Sequence, residues 1–175
     1  MDQDIVIKLV SSAAADVFST MLGLSISTGE PFREGATPAE AEGVIALIGL
    51  AGSWMGTGML SCSPEFACRI SSLMLMTEYE SVNGDVLDAI GEISNMIFGN
   101  VKTELESLLG PLGLSIPTVL FGRNFSAKSV GSQMWTVVPV TSGEHRMDIK
   151  ICLTPSHTCA SAQRPSHLRH YTLQD

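Results

Sequence analysis

Three polar side chains that could contact a substrate lie at helical spacing in the segment VLDAIGEISNMIFGN, residues 86–100. Asp88, Glu92 and Asn95 follow one another at intervals of four and three residues, so a helix carries them on one face. Gly91 and Gly99 interrupt the same segment, although each glycine costs a helix interior about 1 kcal/mol relative to alanine. A helix that combines these residues is predicted to have a function in addition to packing in the core.

The apolar residues of this segment lie on the other side of the predicted helix. An advance of about 100° per residue keeps Glu92 and Asn95 within roughly 40° of Asp88, with Gly91 and Gly99 beside them. The apolar positions fall roughly 140° to 220° away, and they are Val86, Ile90, Ile93, Ile97, Val101 and Leu108. The polar stripe is therefore predicted to face solvent, with open space at the two glycines. Two acids alone would be an ordinary solvated face, but the asparagine and the glycines favour a binding surface.

Composition and charge exclude several function classes. The chain has 175 residues, 45% of them hydrophobic, and a formal net charge of -8, which predicts one domain without the basic stripe that nucleic-acid binding requires. Glycines and serines interrupt the longest apolar stretch, residues 43–62, so no membrane span is predicted. The acidic start MDQDIVIKLV lacks the positive flank of a secretory signal. Four cysteines without metal-site spacing indicate reduced thiols in the cytoplasm.

Local signals predict an α+β domain with helices packed on a mainly antiparallel sheet: two long helices, a shorter one and β-hairpins. The first long helix covers residues 4–22 and ends at Gly23, and the second covers Gly84 to Leu109. The short helix begins at Ser63 and ends near Met76. Strands are predicted over residues 43–50, 54–62, 118–121, 133–140 and 145–153, with Gly56 and Gly58 marking a bulge or close packing.

The chain loses its periodicity near Thr154. We predict a domain over residues 1–153 and a poorly ordered tail over residues 154–175. The tail contains His157, Cys159, His167 and His170, which we interpret as incidental residues rather than metal ligands.

The first helix contains a segment with weak sequence similarity to the polar stripe. DVFSTMLG, residues 16–23, can be laid over EISNMIFG, residues 92–99, with Asp16 in place of Glu92 and Ser19 in place of Asn95. An internal duplication that retained its function in the second copy would give this pattern, and so would chance similarity between two amphipathic helices.

The segment around the stripe resembles the CheC/CheX family of chemotaxis phosphatases. The family motif is Asp or Ser, three residues, Glu, two residues and Asn, with a proline roughly twenty residues later; Asp88, Glu92, Asn95 and Pro117 match it. The resemblance extends over most of residues 4–153. The first helix lacks the Glu/Asn pair, which is similar to the CheX type with one site per chain.

The resemblance implies a CheC-like fold and a function. Family members dephosphorylate the aspartyl phosphate of CheY-type response regulators, and the regulator supplies Mg²⁺ and a lysine, so no cofactor is expected in this chain. The resemblance assigns Asn95 to positioning the attacking water and Glu92 to the regulator's lysine. Asp88 becomes a peripheral partner contact, and Gly91 and Gly99 allow close approach of the partner. CheX-like chains also pair as homodimers.

Two non-catalytic alternatives use the same surface. The chain could bind or sequester a response regulator, or it could be a scaffolding domain in a motility complex. A metal enzyme is disfavoured because no ligand cluster with suitable spacing precedes the tail. A nucleophilic hydrolase is disfavoured because there is no serine elbow, and His145 is interpreted as a hairpin residue.

Overall fold

The computed structural model describes residues 2–35, 39–127 and 134–156, with the backbone alone at residues 39–41 and 123–127. Three helices occur in these ranges: α1 Gln3–Leu22, α2 Pro64–Leu75 and α3 Gly84–Leu109. The strands there are β1 Ser27–Thr28, β2 Phe32–Glu34, β3 Ala39–Gly52, β4 Trp54–Cys62, β5 Leu112–Leu114, β6 Thr118–Ala127, β7 Trp135–Ser142 and β8 His145–Pro155. The α+β class is confirmed.

All of these strands join one antiparallel sheet. Its order is β1-β7-β8-β4-β3-β5, with β2 also paired to β7 and β6 also paired to β3. The β3–β4 and β7–β8 pairs are the two predicted hairpins, and β8 joins them through its pairing with β4. Strand β6 thus lies at one edge of the sheet, where it follows β3 from Thr118 to Ala127.

The core lies between the three helices and one face of the sheet. Alternate side chains of each central strand enter it, as period-2 strand geometry requires: Val44, Ala46, Ile48, Leu60, Val138, Val140, Met147, Ile149 and Ile151. Because the strands present their apolar side chains to the helices, the sheet provides a continuous apolar surface on which α3 rests.

Helix ends follow the signals read from the sequence. Ser63 Oγ accepts a hydrogen bond from the Phe66 amide at 3.2 Å, and Pro64 opens α2. Asn83 Oδ1 accepts from the Val86 amide at 3.0 Å and caps the start of α3, a signal that the sequence interpretation did not name. Gly23, with φ 63°, ends α1. The predicted bounds of all three helices are confirmed to within a residue or two.

Helix α1 belongs to the core, although its composition would suit a membrane. By length and composition alone it could cross a membrane, since its most apolar 18 residues have a mean hydropathy of 1.6. Seven of its side chains are buried: Val6, Val10, Ala13, Ala14, Val17, Phe18 and Leu22. A core helix of a globular domain has the same properties.

The structure corrects two details of the sequence interpretation. Leu108, placed on the apolar face of its helix, has an exposed fraction of 57%. Strand β8 continues to Pro155, and the Ser156 amide donates to the Ser53 carbonyl at 3.1 Å. Regular structure therefore continues past the predicted boundary at Thr154. The predicted tail from His157 onward lies outside the described residues.

Candidate functional site

Helix α3 is anchored along its apolar face from Val86 to Leu105. It packs against α1, α2 and the strands beneath it. Its buried residues are Val86, Ala89, Ile90, Gly91, Ile93, Ser94, Ile97, Phe98, Val101 and Leu105. A 26-residue helix held in this way is a rigid support for any side chain on its outer face.

The contact between Phe98 and Gly58 sets how closely α3 approaches the sheet. A Cβ atom at Gly58 would lie 2.4 Å from Phe98 Cε1, closer than side chains can pack. The glycine on β4 therefore leaves the space that the Phe98 ring occupies, which confirms close packing at this position. The contact fixes α3 three residues beyond Asn95.

The polar stripe lies on the outer face of α3, as the helical spacing predicts. Asp88 and Glu92 are exposed, and Asn95 is half-buried. One helical step of three residues separates Glu92 from Asn95 by about 4.5 Å along the axis. Because Asn95 is half-buried, it lies somewhat deeper than the fully exposed position that the helical wheel predicts.

The side chains of the stripe make no polar contact within the part of the chain that the structure describes. Among the described residues, Asp88, Glu92 and Asn95 have no side-chain hydrogen bond or ion pair. Further along the same helix, by contrast, Lys102 Nζ contacts Glu106 Oε2 at 2.8 Å, and Glu106 Oε1 accepts from the Leu112 amide. A carboxylate and a carboxamide one turn apart are thus free to bind a partner.

The two glycines of α3 have different surroundings, and the expectation for Gly91 is wrong. Gly91 is buried, and a Cβ atom there would lie 3.2 Å from Val119 Cγ2 of β6. The missing side chain makes room for the protein's own sheet, so Gly91 does not lie on the outer surface where a partner could contact it. A Cβ atom at Gly99 would meet no atom within 4 Å, which agrees with open space beside the stripe.

Asp85 extends the acidic stripe by one further turn, and the sequence interpretation overlooked it. It lies three residues before Asp88, in the first turn of α3. The Tyr79 hydroxyl donates to Asp85 Oδ2 at 3.3 Å. Partial desolvation, followed by the nearby Asp85 carboxylate, raises the pKa of the Tyr79 phenol, so it remains a donor. The i, i+3 spacing could have indicated this residue.

The rest of the described chain offers no second reactive centre. No group of three or more His, Cys, Asp or Glu side chains in the described ranges could hold a metal ion. Cys62, Cys68 and Cys152 are buried cysteines. Burial, and secondarily the neighbouring Cys68, raises the pKa of Cys62 to about 12, so its thiol is protonated and a poor nucleophile. The imidazole of His145 stacks on the Phe66 ring at 5.0 Å between centroids, as a structural hairpin residue.

Comparison with known proteins connects this geometry to a family. The profile of the family described as chemotaxis phosphatase CheX matches residues 44–141. The chain is 32% identical over 144 residues to the CheY-P phosphatase CheX of Thermotoga maritima, a match that covers 78% of this chain and 90% of the relative.

Solved structures share the architecture. A CheC-like superfamily protein from Shewanella sp. PV-4 superposes with a TM-score of 0.77 at 24% identity, covering 88% of this chain and 99% of that one. The CheX–CheY–BeF3–Mg²⁺ complex of Borrelia burgdorferi gives a TM-score of 0.72 at 25% identity, with 84% and 96% covered. The CheC-like fold predicted from the sequence is confirmed.

Proposed function

This chain belongs to the CheX family of chemotaxis phosphatases, and we propose that it hydrolyses the aspartyl phosphate of a CheY-type response regulator. The relative from Thermotoga maritima is a CheY-P phosphatase, and the Borrelia burgdorferi neighbour is a complex of CheX with CheY, BeF3 and Mg²⁺. In our proposal the metal belongs to the regulator, and this chain binds no cofactor of its own.

The observation that supports this function best is the pair of unpartnered side chains on α3. Glu92 and Asn95 project from a rigid helix and make no intramolecular polar contact among the described residues. The outer face of such a helix can enter the active-site cleft of a partner without unfolding anything. Phosphoryl transfer depends mainly on positioning and charge stabilisation, so a small number of well-placed groups is enough.

In this mechanism Asn95 orients the attacking water. Its carboxamide can accept a hydrogen bond from the water and donate one in return, and it stays neutral beside the phosphoryl oxygens. The water oxygen attacks phosphorus in line with the acyl oxygen, and the phosphorus–oxygen bond to the regulator's aspartate breaks. Inorganic phosphate and a free carboxylate leave, and the water's proton passes to phosphate or solvent.

Glu92 fixes the register of the two proteins. In the proposal its exposed carboxylate pairs with the lysine of the regulator's active site through a charge-assisted hydrogen bond. A role for Glu92 as general base is less favourable, because a carboxylate is repelled by the phosphoryl group. Asp88, one turn away, adds a peripheral contact, and the open backbone at Gly99 lets the partner approach closely. The protein is proposed to act in the cytoplasm as a homodimer.

The test is the decay of a phosphorylated response regulator in the presence of one-twentieth as much of this protein. A phosphatase turns over, so inorganic phosphate appears faster and the accelerated decay proceeds to completion. A module that only binds or sequesters the regulator, or a scaffold, would leave the bulk decay at its intrinsic rate. If no CheY-type regulator from the same cell shows faster decay, the proposed function is wrong.

A further inference from the structure

A groove opens beside the stripe, between the end of α2 and the first half of α3. Its volume is about 580 Å³. Met74, Leu75 and Ala89 supply apolar surface, and Asp85, Asp88 and Glu92 supply carboxylates from α3. Because Asp88 and Glu92 line both the groove and the proposed catalytic face, a regulator seated on the stripe would also cover the groove.

Apolar side chains protrude around the end of α2. Leu73 and Leu75 have exposed fractions of 40% and 41%, and that of Met76 is 92%. Met76 also has φ 52°, and it is the one non-glycine residue of the described chain with a positive φ. Glycine or asparagine is usual at such a helix end. A methionine placed there holds a flexible apolar side chain in solvent, between Leu75 and Thr77, which line the groove.

The segment that carries these side chains is held in a defined conformation. The Tyr79 amide donates to Ser72 Oγ at 3.0 Å, and Ser72 Oγ donates to the Cys68 carbonyl at 2.8 Å. The Tyr79 hydroxyl reaches Asp85 across the groove at 3.3 Å. The groove is thus bordered by α3 on one side and a tethered turn on the other, which lowers the ordering cost of binding.

The charged side chains that line the groove are all carboxylates. Residues 70–101 contain no lysine or arginine, and their charged residues are Glu78, Glu80, Asp85, Asp88 and Glu92. An occupant that carries negative charge would be repelled. A lysine or arginine suits the groove, because its aliphatic stem can lie on Leu75 and Ala89 while its charged end meets Asp85 or Asp88.

We propose that this groove binds a surface element of the response regulator that presents a basic side chain beside an apolar one, and that it sets which regulator the protein accepts. The proposal rests on the proposed function, whose chemistry it leaves to Asn95 and Glu92. Asp85 lies ten residues from Asn95, about 15 Å along the helix. The end of the groove at Asp85 therefore contributes to binding and not to the reaction at phosphorus.

Two variants test the groove without touching the catalytic pair. Asp85→Asn removes one groove carboxylate, and its matched control is Glu104→Gln, an exposed acid further along α3. Met76→Gly removes the protruding side chain, and glycine adopts the positive φ without strain, so the variant should melt no lower than the parent. Its control is Leu108→Ala, which shortens an exposed apolar side chain elsewhere on the protein. Each protein is titrated with a BeF3-loaded regulator at low and high salt, and turnover is measured over a range of regulator concentrations.

We expect Kd and KM to rise about tenfold in each groove variant. Asp85→Asn should also lower the salt dependence of binding. Both controls should match the parent. Groove variants that bind within twofold of the parent, beside a parent that binds and turns over regulator, would overturn the groove proposal and leave the phosphatase intact. A parent that neither binds nor accelerates any regulator would overturn both. Retention of Kd with loss of turnover would also overturn the proposal, because it would assign the groove to chemistry.

Discussion

At the scale of single residues, the proposed mechanism gives separate roles to a neutral group and a charged one. Asn95 is half-buried and Glu92 is exposed, one turn apart on the same helix. The group nearest the phosphoryl oxygens has to be uncharged, since a second anion would raise the barrier. The carboxylate is useful only where a cation meets it. The proposal therefore separates water positioning by Asn95 from partner recognition by Glu92.

Replacing Glu92 tests the recognition half of this division. Glu92→Ala should weaken binding of a BeF3-loaded regulator by roughly 10- to 100-fold, because a hydrogen bond to a charged group contributes about 1.5–3 kcal/mol. Turnover at low regulator concentration should fall by a similar factor. Calorimetric titration measures the first quantity and phosphate release the second. Glu104→Ala, which removes an exposed acid of the same helix, should change neither quantity. Unchanged binding by Glu92→Ala would rule out the proposed contact between Glu92 and the regulator's lysine.

The direction of these side chains could be predicted from the sequence because it depends on local helical periodicity. Spacings of four and three residues place Asp88, Glu92 and Asn95 on one face of any helix. The burial of Gly91 could not be predicted in the same way, since the atom that it accommodates belongs to Val119, far away in sequence. A missing side chain gives no local signal about which neighbour fills the space.

At the scale of elements, α3 is a rigid helix packed on the sheet. The predicted bounds of α3 are correct. Gly110 after its end is a local signal that the sequence shows directly, and Asn83 at its start is a further one that was not used. Leu108 was misplaced in the core because helical periodicity does not tell where along a helix its packing partners end. The groove was missed for a related reason: it depends on how the turn after α2 folds back on α3, which no periodic pattern encodes.

The two glycines of α3 predict opposite results when alanine replaces them. Gly99→Ala gains helix propensity, about 0.5–1 kcal/mol, and its new methyl group meets nothing within 4 Å. The variant should melt at a higher temperature, yet bind the regulator less well because the methyl group enters the docking surface. Gly91→Ala should gain less stability, since its Cβ atom would lie 3.2 Å from Val119 Cγ2, and should bind normally. Thermal melts and regulator titrations separate the two, and normal binding by Gly99→Ala would show that close approach is not required there.

At the scale of the whole molecule, the sheet edge formed by β6 has no partner in the described chain. Strand β6 pairs with β3 on one side, and no described strand pairs with its other side. Leu120 and Phe121 of this strand have exposed fractions of 43% and 46%. Exposed edge strands with apolar side chains join other strands unless something covers them. A second copy of the chain at this edge would extend the sheet across a dimer.

The predicted homodimer can be tested by light scattering at micromolar concentration. We expect twice the chain mass for the parent, and a monomer for Leu120→Lys, because a charge at the edge opposes strand pairing. Lys in place of exposed Leu73, on α2 and away from this edge, serves as the control and should remain dimeric. A monomer mass for the parent protein would rule the dimer out.

The rate of phosphate release by Asn95→Ala shows whether Asn95 positions the attacking water. We expect a fall of about two orders of magnitude at saturating regulator, as when one preorganised transition-state contact is lost. The Kd for a BeF3-loaded regulator should change little, and the melting temperature should stay near that of the parent. Asn100→Ala, which replaces an exposed asparagine off the stripe, should behave as the parent. If the Asn95→Ala protein is folded, binds the regulator normally and releases phosphate at the parent rate, Asn95 does not position the water.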